Sequence, residues 1–407
     1  MQNIVSDKPY KFTPPHHGRL LRGIIELWLP GYLRKSHGLV KIECRGAENL
    51  RQSLDAGHGI LLAPNHCRPC DPMALGMLCR AVKRPFFMMA SRHLFEQGRV
   101  QKWMMRRAGA FSVYREGMDR EALKTAVEIL KTAERPLVVF PEGMLTRTND
   151  RLVNLMDGTA FIARNAAKQR AAMNPPGQVV VHPVALRYHF EGDIETALIP
   201  TIEEIEARLT WHPQRDKPLI ERIYKIGGAL LSLKEMEYFG RPQQGGIHER
   251  IDRLINSLLV PLEKEWLKGD SDGDVVARVK KLRTAILAGM VNGEIAEQER
   301  ARRWKQLVDL YLAQQLFCYP PDYVGADPSN ERLLETVERF EEDLTDTTRV
   351  YTPLRAVITV GTAIPVNPVR TRGAEDPVME ETRAQLLAML GLPVEKPAQV
   401  PASETTP

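Results

Sequence analysis

The sequence predicts an α/β fold, a mostly parallel sheet flanked by helices, on three observations. Between residues 59 and 188, apolar runs of strand length alternate with stretches of helical period, the pattern of a layered α/β unit. At the clearest junction, an apolar run over 60–64 is followed within seven residues by Asp71-Pro72, a cap-type residue and then a proline suited to a first helical turn. Finally, 407 residues with 43% hydrophobic and 26% charged content are enough to bury a substantial core and exclude wholesale disorder.

Taken in order, residues 1–38 form an N-terminal segment. Leu-Leu-Arg-Gly-Ile-Ile-Glu-Leu-Trp-Leu-Pro-Gly-Tyr-Leu at 20–33, with Arg19, Arg22, Arg34 and Lys35 interleaved or flanking, reads as an amphipathic helix. It either packs on the domain core or lies at a membrane surface with Trp28 and Tyr32 at the headgroup boundary. Residues 39–190 are the α/β domain, with strands expected at 60–64, 86–90, 111–114, 137–140 and 179–186. Helices are expected at 71–82, 93–107, 119–132 and 157–168. Residues 191–350 then read as a large helical insertion or subdomain, with charged helix-period segments at 202–209, 219–238, 247–267, 275–289, 295–317 and 332–344. Residues 351–391 return to the domain with a strand at 357–366 and a helix at 379–390. The closing 392–407 is rich in Pro and small polar residues and is expected to be disordered. No internal repeat and no sustained heptad pattern is present.

Charge is uneven. Residues 1–115 carry 19 Lys or Arg against 7 Asp or Glu, a net of +12, whereas the whole chain is +5, so the remainder is net −7. A basic front half suits an anionic lipid surface or a phosphorylated small molecule. Nucleic acid is not the expected partner, because the basic residues are dispersed and no RNA-binding or zinc-finger motif accompanies them. Five scattered cysteines argue for a reducing compartment over a disulfide scaffold. No apolar stretch reaches the ~18 residues of a spanning helix, so the expectation is a protein on the cytoplasmic face of a membrane, peripherally attached.

Candidate chemistry gathers at strand ends. The first strand runs into Pro64-Asn65-His66-Cys67-Arg68-Pro69-Cys70-Asp71, placing a histidine and a carboxylate on either side of one turn. A neutral imidazole is the natural general base near neutral pH, and a carboxylate on its other nitrogen fixes the tautomer. Other strands end in Arg115 and in Phe140-Pro141-Glu142-Gly143, followed by Thr146-Arg147. In a parallel sheet these ends share the carboxyl edge, where α/β sheets bind ligands, and arginines there suit a phosphate. Cys67-x-x-Cys70 has metal or redox spacing but lacks a second ligand pair, and reads as packing.

Four blocks now stand in order: Asn65-His66-x4-Asp71, Gly109-Ala110-Phe111-Ser112-Val113-Tyr114-Arg115, Phe140-Pro141-Glu142-Gly143 and Val181-His182-Pro183-Val184. In order and spacing they resemble those of the glycerolipid acyltransferase family, typified by 1-acylglycerol-3-phosphate acyltransferase. The resemblance covers residues 39–186. It implies acyl transfer from acyl-CoA or acyl-carrier protein to a hydroxyl of a phosphate-bearing lysolipid, with His66 and Asp71 catalytic. It also implies Arg115, Glu142 and Gly143 in the acceptor site; Asn65, which otherwise holds the turn, and Arg147 are further candidates for substrate binding. Acyl transfer by such a base calls for oxyanion donors among backbone N–H groups near Gly143 or Asp71, and for neither metal nor cofactor beyond the acyl thioester. One departure is that Met144 and Leu145 separate Glu142-Gly143 from Thr146-Arg147, which the family usually joins directly. The rival reading is a noncatalytic lipid-binding or scaffolding protein on the same fold.

Overall fold

The computed structural model describes residues 5–18, 22–291, 293, 295–369 and 376–393. Its strands are β1 (Leu39–Arg45), β2 (Gly59–Pro64), β3 (Phe87–Ser91), β4 (Ala110–Val113), β5 (Leu137–Val138), β6 (Val179–Phe190), β7 (Leu354–Val360) and β8 (Ile364–Pro365). Its helices are α1 (Arg22–His37), α2 (Ala47–Asp55), α3 (Asp71–Val82), α4 (Arg99–Arg107), α5 (Arg120–Thr132), α6 (Gly158–Ala171), α7 (Ile194–Arg208), α8 (Leu219–Phe239), α9 (Ile247–Trp266), α10 (Val275–Leu287), α11 (Glu297–Phe317), α12 (Asn330–Thr345) and α13 (Pro377–Leu390). Part of the expected disordered tail, 394–407, and part of the amphipathic stretch, Arg19 and Leu20 included, lie outside the described residues.

The sheet order is β1-β7-β6-β2-β5-β3-β4, with β8 paired to β6. All pairings are parallel except β6 with β7 and with β8. The strand expected over 357–366 is therefore two strands that break after Val360, both antiparallel to β6. Pro183, which has no N–H to donate, sits where β6 changes partner: Val180 and Val181 face β8, and pairing with β7 begins at Val184. The helix expected over 93–107 is likewise broken, into a short 3-10 turn, Arg92–Phe95, and α4, with Gly98 between them at φ +150°. Strand β1 and helix α2 were not anticipated. β1 is the sheet edge, and its Leu-Val-Lys-Ile-Glu-Cys-Arg is buried fully only at Leu39, so no clean alternation marks it.

One face of the sheet, with Ile60, Leu62, Val184, Leu186, Tyr188 and Ile358, packs against α1, α2, α3, α7, α8 and α12. The other, with Leu61, Ala63, Phe87, Phe111 and Val181, packs against α5, α6 and Val378 of α13. A further apolar core lies among α8, α9, α10 and α11. In α1, Leu29 and Leu33 are buried against the core, as packing on the domain requires, whereas Leu27 and Trp28 are 84% and 57% exposed. Gly76 of α3 makes room for the helix, since a Cβ there would stand 2.5 Å from Leu29. Residues before α1 cover the far edge of the sheet, where Ser112 N–H of β4 donates to Thr13 O, Thr13 N–H donates to the Ser112 hydroxyl and Tyr10 stacks on Tyr114.

Six helices, α7 to α12, separate β6 from β7. Consecutive ones are clasped by buried bidentate ion pairs: Glu206 of α7 with Arg222 of α8, Glu235 of α8 with Arg250 of α9, and Glu263 of α9 with Arg278 of α10. Glu206 and Glu235 each also accept a loop N–H, from Gln214 and Gln243. The contact recurs although the sequence does not repeat, and in each a rigid guanidinium fork meets both carboxylate oxygens.

Candidate active site

The carboxyl ends of β2, β5 and β4 meet at one edge of the sheet, and each contributes. β2 stops at Pro64, and Asn65 continues its role: the side-chain amide donates to Leu186 O and accepts from Leu186 N at 3.0 and 2.7 Å. Asn149 does the same for Tyr188, and Glu331 accepts from Phe190 N. Three alternate residues of β6, whose N–H groups point the same way, are thus satisfied by side chains where β2 no longer runs alongside. Asn65, expected in substrate binding, has both amide atoms engaged with β6.

His66 follows, and its Nδ1 lies 2.8 Å from Asp71 Oδ2. Asp71 is completely buried and begins α3, with Cys70 as the preceding cap position. It is therefore a first-turn residue rather than the cap, and its carboxylate folds back over the turn to accept Arg68 N–H at 2.9 Å. The other oxygen accepts the Tyr188 hydroxyl at 2.6 Å. Burial, and then Asp71 itself, hold the Tyr188 phenol well above its usual range, so it remains a donor. A carboxylate can only accept, so the proton of the His66–Asp71 bond belongs to Nδ1, leaving the Nε2 lone pair free. The ring stacks on Phe140 at 4.1 Å between centroids, and the side chain is 21% exposed, open to a reactant.

Glu142 sits beneath. Its two oxygens accept the N–H groups of His66, at 2.6 Å, and Val153, at 3.1 Å, while Thr146 donates both N–H and hydroxyl to His66 O. The histidine backbone is held from both sides. Burial pushes the Glu142 carboxyl up to about 8, against the pull of those two N–H bonds, with Asp71 adding to the rise and Arg383 opposing it. In an unfolded chain the carboxyl titrates near 4.3, so the folded protein holds a proton that unfolding releases. The resulting stability is complete below about 4.3 and is lost as pH rises through 8. Glutamine cannot titrate. The gap in melting temperature between native protein and Glu142→Gln should therefore narrow between about pH 5 and pH 8, by roughly 1 kcal/mol or more in stability; a gap constant with pH would show that Glu142 does not titrate in that window.

Gly143 has φ +66°, and a Cβ there would stand 2.2 Å from Met156 Sδ, so both backbone and space require glycine. Its carbonyl accepts from the half-buried Arg115 guanidinium. Arg147 is turned away from this point by its left-handed backbone (φ +57°) and is paired with Glu342 of α12. The two backbone N–H groups expected as oxyanion donors close turns instead, Gly143 onto Phe140 O and Asp71 onto Arg68 O.

Helix α12 reaches the same turn. Arg68 is held 3.1 Å from Glu338; burial works against its charge, but Glu338 and Glu335 outweigh that and raise its pKa. Glu335 also accepts Asn149 N–H and the Tyr323 hydroxyl. Cys67 and Cys70 are buried thiols beside Asp71 and Tyr188, pushed up by burial, Cys70 to about 12, and so remain thiols. Among the described residues no group of three or more His, Cys, Asp or Glu is placed to hold a metal ion. His182, from the fourth block, is buried between Ser53 of α2 and Gly361 O and ties two elements of the fold. Tyr188 and Glu338 escaped sequence reasoning, and Thr146 was noted only beside the third block without a role, since each acts through contacts distant along the chain.

Residues 41–187 match the acyltransferase family. The chain is also similar to a 1-acyl-sn-glycerol-3-phosphate acyltransferase of Streptococcus pneumoniae (strain ATCC BAA-255 / R6), with 34% identity over 107 residues. The aligned part covers 26% of this chain and 37% of that relative's length. The α/β unit that carries His66, Asp71, Arg115 and Glu142 is thus the part of the chain that matches the acyltransferase family model and is similar to an acyltransferase of the glycerolipid type.

Proposed function

We propose that this protein moves a fatty acyl group from acyl-CoA or acyl-carrier protein to the hydroxyl of a glycerol-phosphate-type lipid precursor, with 1-acylglycerol-3-phosphate as acceptor and phosphatidate as product. The observation that carries the reading is the His66–Asp71 pair, 2.8 Å apart at the carboxyl edge, with Nε2 free. His66 Nε2 takes the proton of the acceptor hydroxyl as its oxygen attacks the thioester carbonyl. When the carbon–sulfur bond breaks, the same nitrogen returns the proton to the departing thiolate, leaving an ester and a thiol. Asp71 stabilises the imidazolium between these steps. The test is transfer of labelled acyl groups from acyl-CoA, and separately from acyl-carrier protein, to lysophosphatidate, glycerol 3-phosphate and other lysolipids. Absence of turnover with every pair would favour a noncatalytic lipid-binding protein on this fold.

Among the described residues no helix is long and apolar enough to cross a membrane. We place the protein peripherally on the cytoplasmic face, with α1 as the contact, because Leu27 and Trp28 are exposed beside Arg34 and Lys35 in one short helix. Leu27→Ser combined with Trp28→Ala should lower cosedimentation with anionic vesicles about tenfold, leaving turnover of a water-soluble short-chain acceptor intact. Unchanged cosedimentation would remove α1 from the membrane.

A further inference from the structure

Arg283 of α10 is 6% exposed, and its Nε and Nη2 atoms are buried with no hydrogen-bond partner among the described residues. Every other clasp arginine on these helices meets a carboxylate; this one does not. A buried guanidinium without an acceptor is costly, because desolvation is not offset by any bond. Its surroundings deepen the problem: Arg115 of the second block is near enough for the two charges to repel, and Glu116 and Tyr311, which pull the other way, do not offset it. Burial first, and then Arg115, bring Arg283 down to about 10, and the same arginine weighs on Lys280 and on His93.

Lys280 lies one turn before Arg283 on α10 and lines a cavity of about 890 Å³ whose wall also includes Met156 and the buried Glu142. Four carboxyl groups also line that wall, Glu142, Asp157, Asp270 and Asp274; Asp270 holds Lys281, and Asp274 caps α10 and receives Asn154. The cavity thus extends from Lys280 of α10 to Glu142, whose carboxyl fixes the His66 backbone; Arg283 and Arg115 lie outside its lining, with Arg115 tied to the carbonyl of Gly143, the residue after Glu142.

We propose that Arg283 and Lys280 of α10, together with Arg115, bind a phosphate group, so that the helices after β6 supply half of the anion site of the α/β unit. Phosphate oxygens would satisfy the two orphan N–H groups of Arg283 and relieve its repulsion with Arg115. Two sources offer this group, the headgroup of the acyl acceptor and the phosphates of a CoA donor; assigning one of them rests on the acyl-transfer reading, whereas binding of phosphate itself does not.

The first experiment therefore needs no turnover. Melting temperature is followed while inorganic phosphate is titrated against chloride at constant ionic strength, for the native protein and Arg283→Met. The native protein should show a saturable rise and the variant little or none. In phosphate-free buffer the variant should melt at the same temperature or higher, since an unpartnered buried charge has been replaced by an apolar chain. A variant that melts lower than native and keeps the phosphate response would overturn the proposal, because Arg283 would then be structural. In acyl transfer, KM should rise about tenfold or more for the substrate whose phosphate is held. A rise for lysophosphatidate alone assigns the acceptor, and a rise for acyl-CoA alone assigns the donor. Unchanged KM for both, in an active enzyme, would also overturn the proposal. Loss of every turnover with an intact phosphate response would sink the acyl-transfer reading and leave the phosphate site standing.

Discussion

His66→Ala should reduce acyl transfer by roughly 10²–10⁴-fold while leaving the circular dichroism spectrum and melting temperature near native. The fold should survive because the imidazole is partly exposed and its one bond is to Asp71, whereas the backbone contacts from Glu142 and Thr146 use atoms an alanine retains. Asp71→Asn is the more informative companion. Asp71 accepts three N–H or O–H donors, from His66, Arg68 and Tyr188, beside a weaker thiol contact from Cys67, and an asparagine has one acceptor oxygen and an NH₂ group that only donates. If the NH₂ faces His66, the imidazole must present Nδ1 as acceptor, Nε2 carries the proton, and no base remains. If it faces Tyr188, the phenol can rotate to accept, and the tautomer is kept without the charge that stabilises the imidazolium. Either arrangement lowers kcat, on the order of a hundredfold or more. Tyr188→Phe separates them, since it removes only one of the three donors and should cost far less. Turnover by His66→Ala within about tenfold of native would exclude His66 as the base.

How much of this site the sequence discloses depends on whether the chemistry lies in adjacent residues. The His66–Asp71 turn, the glycine at 143 and the arginine at 115 are local: a strand end, a tight turn and a helix start follow each other within a few residues, and apolar runs mark each strand. Asp71 and Tyr188 are 117 residues apart and Arg68 and Glu338 are 270 apart, so neither pairing leaves a pattern in the chain. The strand order was open for the same reason. A strand after a long helical stretch can enter the sheet in either direction, and nothing in Leu354–Val360 says that it runs antiparallel to β6. The buried Glu–Arg pairs were misleading in another way: charged residues on helices read as solvated faces, yet Glu206, Glu235 and Glu263 are among the most buried side chains of their helices.

Those pairs carry the largest expected stability effect. Glu206 is 1% and Arg222 3% exposed, and each carboxylate oxygen meets one guanidinium nitrogen at 2.9 and 2.8 Å. Removing the arginine leaves a buried carboxylate with only the Gln214 N–H, and breaking a buried pair in this way costs about 3–5 kcal/mol. Arg222→Ala should therefore lower the urea midpoint sharply. Replacing both partners, Glu206→Leu with Arg222→Met, removes the uncompensated charge as well as the attraction; it should recover most of that loss, short of about 1–3 kcal/mol for the Gln214 N–H left without an acceptor. The two single substitutions will then sum to far more than the double, which is the signature of one shared interaction. If the double substitution were as damaging as the sum, the residues would be acting through packing and not through their charges. The Glu263–Arg278 pair joins α9 to α10 in the same geometry, so a clasp that holds helices together also sets where Lys280 and Arg283 stand against the α/β unit. Glu263→Ala should accordingly raise KM for the phosphate-bearing substrate through the position of α10, while Arg222→Ala, two helices away, should act mainly on stability.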